Sequence, residues 1–528
     1  MKRYNYIIVG AGSAGCVLAN RLSRDPACEV LLIESGPKDS SFLISLPRGY
    51  ALLMGDPKHS WAYPATRSSS NEVEAHIRGR TLGGSSAING MIYARGLARD
   101  YEGWNIPGWG WSDFLRAYRK IESHEFGSDN YRGGEGELEI SSHSYDLPLC
   151  DAVIRGGSEL GVPVVEDFNC EGGERIAYSA RNIWKGRRVS ASAAFLKPVR
   201  SRANLDIMTG VNVDKLVLEG KKAVGVIVSE GDGRNRHIWA SQEVILSAGA
   251  INTPKLMQLS GIGPGQLLHR HGIETVVDSP NVGANFSDHR YFSLQFRVNG
   301  GSDNKQFSGW RLIRNVMQQM ILGTGPMSRP AFEVGAYIKT DPTLDLPDFR
   351  MLMGTVSLDK GAAKIAMERS PGFNIGGFQM LPRSRGFLEI SSADPDETPS
   401  IVSNAFAAQE DVDCAVRAVR KIRELAATEA LSIFDPRETT PGDQVQSDDE
   451  VAEYVKRTSG SGMHICGTCQ MGSGSDSVVD ENLRVRGVEG LRIADISIMP
   501  GLISGNTNAP AMAIGQLASE KILARPFN

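Results

Sequence analysis

The stretch Tyr6-Ile7-Ile8-Val9-Gly10-Ala11-Gly12-Ser13-Ala14-Gly15-Cys16 decides the fold. Four residues of strand character run straight into glycines at 10, 12 and 15, and residues 16–22 then carry apolar side chains at helical spacing. In such a turn the first glycine reverses the chain sharply, the second lets backbone approach a pyrophosphate, and the third lets helix pack on strand. The helix N-terminus adds free N–H groups and a partial positive charge facing the anion. A second strand, residues 29–33, ends at Glu34, nineteen positions past Gly15, where a carboxylate can accept hydrogen bonds from a ribose. Gly10, Gly12, Ser13, Ala14, Gly15 and Glu34 are therefore expected to hold a dinucleotide in a Rossmann-type βαβ unit. The unit by itself does not separate nicotinamide from flavin dinucleotides.

A chain of 528 residues exceeds what one hydrophobic core usually serves, so at least two packed regions are expected. With 41% hydrophobic and 22% charged residues it has the balance of a folded globular protein. The net charge of −4 offers no general attraction to nucleic acid or to an anionic membrane. No export signal precedes the first strand, and no run of about 18 apolar residues suggests a transmembrane helix. Seven cysteines without a dense framework suit a reducing compartment, so cytoplasm is the expected location.

Farther along, residues 213–228 read as paired strands about Glu219-Gly220-Lys221, and residues 243–246 as another short strand. Pro47, Pro57 and Pro64, with Ser68, Ser69 and Ser70 before Asn71, predict irregular loop. The α/β pattern resumes near the end with a strand at residues 491–494 and a helix at 511–522. Between residues 291 and 463 glycine clusters thin out, and strand-like pieces such as 387–390 mix with helices such as 410–427. The expected class is α/β (α+β overall). A discontinuous cofactor domain is expected from residues 1–150, 190–290 and 464–528, with a mixed-sheet substrate domain from 151–189 and 291–463.

Three longer blocks resemble one family. They are Arg80-Thr81-Leu82-Gly83-Gly84-Ser85-Ser86-Ala87-Ile88-Asn89-Gly90, the run from Ser247 to Gly263, and His464 to Gly472 followed by Ala494-Asp495 through Pro510. In sequence and order they resemble the glucose-methanol-choline (GMC) oxidoreductases, and the likeness extends over nearly the whole chain. Within it, the chain is closer to choline dehydrogenase-like and pyridoxine-oxidising members than to the fungal sugar oxidases.

The resemblance implies FAD as cofactor, a GMC-like fold, and a loop carrying Arg80, Gly83, Ser86, Asn89 and Gly90 along the flavin. It assigns Val213 to the adenine, Ala248 and Gly249 to the second signature, Asp495 and Thr507 to the cofactor, and Asn506 to both cofactor and catalysis. Some relatives attach FAD through a histidine in the first loop; Ile88 stands at that position here, so non-covalent FAD is expected. No metal is expected.

Oxidising an alcohol requires loss of a hydroxyl proton and of a hydride from the same carbon. Histidine titrates nearest neutral pH and suits the proton; a flavin supplies the hydride acceptor at N5. By resemblance His464 is the base. Asn506, 42 residues on, is no base near pH 7, but its amide can hydrogen-bond the substrate oxygen. Asn508 is the nearby residue it could be confused with. Cys466 and Cys469 are read as structural thiols and His289 as a structural histidine. The expected partners are a small primary alcohol and either O₂ or another electron acceptor, and the oligomeric state is left open. The alternative reading is a cyanohydrin lyase that keeps FAD as a structural element.

Overall fold

The computed structural model describes residues 2–67, 72–142, 147–229, 235–359 and 367–524. At its centre the strand Arg3–Val9 lies between Val30–Glu34 and Asn235–Leu246, parallel to both. Leu205–Thr209 continues the parallel sheet beyond Val30–Glu34, and Leu491–Ile493 pairs in parallel with the end of Asn235–Leu246. The antiparallel strands Lys222–Ser229 and Asn212–Glu219 complete seven. All five residues of Val30–Glu34 are buried, as expected for a parallel strand covered on both faces. The helices Ser13–Leu22 and Asn508–Ala524 pack together on this sheet, so the two ends of the chain build one layer. The strands end together at Val9, Glu34 and Leu246, and the groove outside the carboxyl ends of such strands is where ligands bind.

A second seven-stranded sheet runs Arg437–Thr440, Arg290–Arg297, Gly372–Gln379, Phe349–Gly354, Val334–Ile338, Arg175–Tyr178, with Gly460–Ser461 pairing to Arg290–Arg297. Its pairings are antiparallel. The helices Pro148–Glu159, Gln409–Ala426 and Asp448–Thr458 contribute Leu149, Val412, Val419 and Val451 to the core beneath it, against Phe292, Phe349 and Phe373. Mixed pairing occurs in a four-stranded sheet, where Phe387–Glu389 and Ser400–Val402 meet Ser60–Thr66 and Val73–Gly79. This small sheet joins chain from both halves of the sequence.

The chain around Pro64 is a strand and not the expected loop. Ser60–Thr66 is a strand fully registered with Val73–Gly79, Pro64 facing Ala75. Proline is tolerated because the strand's other edge is paired only at Thr66, so the missing N–H breaks no ladder. Ser68, Ser69, Ser70 and Asn71 lie outside the described residues. Among the described residues no helix is long and apolar enough to cross a membrane.

Candidate active site

A cavity of about 950 Å³ opens between the carboxyl ends of the parallel strands and the antiparallel sheet. Its inner end is the glycine turn. Gly10 has φ +101° and donates its N–H to Ile33 O at 2.8 Å; a Cβ there would stand 2.5 Å from Ser247 O. A Cβ on Gly15 would meet Gly10 O at 2.0 Å, so both positions require glycine. Glu34 accepts N–H bonds from Ala11 (3.0 Å) and Gly36 (2.9 Å), and burial pushes its carboxyl up to about 7 against those two donors. Ser13 Oγ donates to Asn508 Oδ1 at 2.7 Å, which ties the N-termini of the first and last helices together at the cavity wall.

The first glycine-serine loop crosses this turn. Gly83 N–H donates to Ala11 O at 2.8 Å, and a Cβ on Gly84 would come within 2.7 Å of Gly12 Cα. Gly84, Ser85, Ile88, Asn89 and Gly90 line the cavity. Gly83 and Ser86 stand behind it, Ser86 Oγ donating to Gly83 O and accepting Ala191 N–H. Arg80 also backs the wall, its guanidinium 4.2 Å from the ring centre of Trp61, which does line it. The sequence reading missed the residue that fixes this loop. Arg188, from the short hairpin Ile183–Trp184 and Arg187–Arg188, is buried and donates to Ile44 O, Ser86 O, Asn89 O and Asn89 Oδ1.

Val213, Ala248, Gly249, Asp495, Thr507, Gly10, Gly12, Ser13, Ala14 and Glu34 all reach the cavity wall; Gly15 does not, being packed inside the turn. Asp495 is spent locally. It accepts Gly249 N–H (2.8 Å) and Thr253 Oγ1–H (2.6 Å) through one oxygen and Ser497 N–H (2.8 Å) through the other, while burial raises its pKa. It thereby holds the N-terminus of helix Gly249–Leu259 in place. Cys466 and Cys469 are buried free thiols; burial pushes Cys466 up to about 12.

At the other end His464 and Asn506 meet. Asn506 Nδ2 lies 3.0 Å from His464 Nε2, and both residues line the cavity. His289, read from sequence as structural, is the further participant: its Nδ1 is 2.9 Å from His464 Nδ1 and its Nε2 is 2.8 Å from Met380 O. A carbonyl only accepts, so His289 Nε2 carries the proton and its Nδ1 is a lone pair. His464 Nδ1 must then donate to that lone pair, which leaves His464 Nε2 unprotonated and able to accept from Asn506. The tautomer of His464 is fixed from behind. Asp288 holds the backbone by accepting His464 N–H at 2.8 Å, and Phe378 stacks on His289 with ring centres 4.2 Å apart. Burial above all, and then the nearby His289, Arg78 and Arg350, hold His464 well below the usual histidine range; burial likewise brings His289 down to about 4. Both rings are neutral at pH 7.

Asn506 Oδ1 is buried and has no hydrogen-bond partner among the described residues. With the glycine-walled groove at the other end, this leaves one long cavity that suits a dinucleotide along its floor and a small polar group beneath Asn506.

A long dinucleotide cavity that ends on a neutral histidine and an amide donor defines a cofactor-dependent redox enzyme of the Rossmann type. The GMC oxidoreductase family models match residues 4–291 and 382–515. The oxygen-dependent choline dehydrogenase of Brucella anthropi is 37% identical over 99% of this chain and 96% of its own length, and the alcohol dehydrogenase [acceptor] of Pseudomonas putida is 38% identical with the same coverage. The crystal structure of pyridoxine 4-oxidase from Mesorbium loti superposes with a TM-score of 0.89 at 30% identity, over 99% of this chain and 100% of that one. The chain belongs to the GMC oxidoreductases, and is an FAD-dependent enzyme acting on CH–OH groups.

Proposed function

We propose that this enzyme oxidises an uncharged primary alcohol with an apolar body to the aldehyde, with His464 as the base and Asn506 as the group that orients the substrate oxygen. The observation that carries the assignment is the pairing of His464 Nε2 with Asn506 at the cavity wall. An alcohol placed there donates its proton to the Nε2 lone pair and accepts a hydrogen bond from Asn506 Nδ2, which stabilises the developing alkoxide. Once protonated, His464 keeps its Nδ1–H on the lone pair of His289. FAD, held by Gly10, Gly12, Ser13, Glu34 and the loop around Asn89 and Gly90, supplies the hydride acceptor. Ile88 on the wall offers no nucleophile for covalent attachment, in keeping with non-covalent FAD.

The walls on the antiparallel-sheet side support the choice of substrate. Tyr291, Ser293, Phe332, Leu352, Val356 and Phe378 line that part, and no Asp or Glu lines it among the described residues. A quaternary ammonium head would find no carboxylate there, whereas an apolar body would be well covered.

Anaerobic mixing of the FAD-loaded protein with a panel of alcohols is expected to bleach the flavin, faster with uncharged aryl or alkyl primary alcohols than with choline. A flavin that stays oxidised with every alcohol would overturn the redox assignment in favour of a cyanohydrin lyase. Peroxide production on admitting air then distinguishes O₂ from another acceptor. His464→Ala should lower the bleaching rate by about 10²- to 10⁴-fold with FAD retained; an unchanged rate would overturn the base assignment.

A further inference from the structure

The helix Gly309–Leu322 is built inside out. Its buried residues are the polar Asn315 and Gln319, whose amides donate to Gln306 O and Gly186 O. Five of its apolar residues face outward, Trp310, Ile313, Met317, Met320 and Ile321 being 55–73% exposed, while Leu312 and Val316 are half-buried. At 3.6 residues per turn these five fall within an arc of about 100°, opposite Asn315 and Gln319. A helix that docks on its own protein buries the other face, so this stripe is shaped for something outside the chain.

Its charge points to the kind of partner. Residues 304–329 contain Lys305, Arg311, Arg314 and Arg329 and no Asp or Glu, within a chain whose net charge is −4. Lys305, Arg311 and Arg314 are exposed beside the stripe, and Arg314 lies 5.1 Å from the ring centre of Trp310. Arg329 is paired with the buried Asp303. The hairpin turn against the helix's C-terminal end adds the exposed Lys185 and Arg187. Basic residues flanking an apolar stripe with an aromatic at one end match the interfacial zone of an anionic bilayer. A two-fold dimer through the same stripe would lay this cationic surface on its own copy.

Position adds a third observation. Leu312 of this helix, on the face away from the stripe, lines the catalytic cavity with Phe307 before it and Met327 after it, so the stripe is the outer surface of an element that walls the site.

We propose that Gly309–Leu322 seats the enzyme on the surface of an anionic phospholipid bilayer, its apolar stripe among the acyl chains and Arg311 and Arg314 at the headgroups, with the helix that walls the cavity lying on the lipid. The net charge of the whole chain concealed this, because the attraction is local.

Co-sedimentation tests it, using FAD-loaded full-length protein and extruded vesicles of phosphatidylcholine alone or mixed equally with phosphatidylglycerol. Wild type should pellet with the mixed vesicles, stay in solution with phosphatidylcholine alone, and be released by high salt. Trp310→Ser/Ile313→Ser/Ile321→Ser should weaken pelleting by about tenfold or more while flavin absorbance and alcohol-dependent bleaching are kept. Should that variant lose its flavin, Arg311→Glu/Arg314→Glu is expected to do the same to vesicle binding through surface charge alone. Wild type that ignores anionic vesicles, or variants that pellet like wild type, would overturn the proposal. So would light scattering that finds a wild-type dimer which the triple variant dissociates, since the stripe would then belong to a second copy.

Discussion

Two facing Nδ1 atoms, those of His464 and His289, can share only one proton, and the Met380 carbonyl determines which ring gives it up. A histidine buried alone could hold its proton on either nitrogen, and the form protonated at Nε2 would present an N–H to the alcohol instead of a lone pair. His289 removes that choice. His289→Phe keeps an aromatic ring against Phe378 but supplies no acceptor. It is expected to lower kcat/KM by about a hundredfold, mostly in kcat, with FAD content unchanged. His289→Gln, which offers an amide oxygen toward Nδ1, should recover part of the loss, whereas a purely structural role would leave the two variants alike. The pH dependence of kcat/KM provides a second readout. Since burial keeps His464 neutral well below the usual histidine range, the acid limb of the wild type should fall below pH 6.5. His289→Phe removes the neutral acceptor that holds the Nδ1–H of protonated His464, so the limb of that variant should move further down. The meeting of His464 and Asn506 at the cavity wall was legible in the sequence because both sit in long motifs. His289 was not, because its role is set by a carbonyl 91 residues away and by a ring orientation that no spacing reveals.

At the scale of elements, local chemistry was legible and long-range pairing was not. The strand, turn and helix at residues 3–22 follow from neighbours in sequence, glycine supplying the backbone freedom and apolar periodicity the faces. The strand Ser60–Thr66 did not follow, because its proline and flanking serines carry loop signals that pairing with Val73–Gly79 overrides. The loop at residues 83–90 lies between these cases: its glycines and serines marked it, but what holds it is the single guanidinium of Arg188, reaching in from a two-residue strand. Burial without a carboxylate partner brings that guanidinium down to about 9, and its charge is spread over backbone oxygens instead. Arg188→Met should free Ser86 O and Asn89 and let the loop slide off the glycine turn. With hydrogen bonds to a charged group contributing about 1.5–3 kcal/mol each, FAD affinity is expected to drop by at least about tenfold, as measured by titration of apoprotein, with the secondary-structure content intact. Affinity equal to wild type would mean that the loop holds its place without the arginine.

At the scale of the molecule, two sheets are each assembled from strands far apart in sequence, and the site exists only where they meet. Composition and length indicated more than one core, and the buried apolar strands identified the parallel sheet; the junction itself is three-dimensional and left no mark on the chain. Its cost is visible in pH. An imidazole that is neutral in the folded protein and titrates normally when unfolded binds its proton only in the unfolded chain between the two pKa values, so stability falls as pH is lowered through that interval. For His289 the interval runs from the ordinary 6.5 down to about 4. At about 1.4 kcal/mol per pH unit the loss reaches about 3 kcal/mol, and His464, shifted in the same direction, adds to it. Buried carboxyls such as Glu34, raised to about 7, act with the opposite sign, because their stability is lost as pH rises, so a single wild-type curve mixes the two. The difference between wild type and His289→Phe cancels Glu34, which titrates in both and lies apart from the histidine pair. In denaturant titrations of the FAD-loaded proteins, the stability of wild type relative to the variant should therefore decline by about 3 kcal/mol from pH 6.5 to 4. A difference that stays level across that window would mean that His289 is charged in the folded enzyme, and with it the directed lone pair on His464 would be lost.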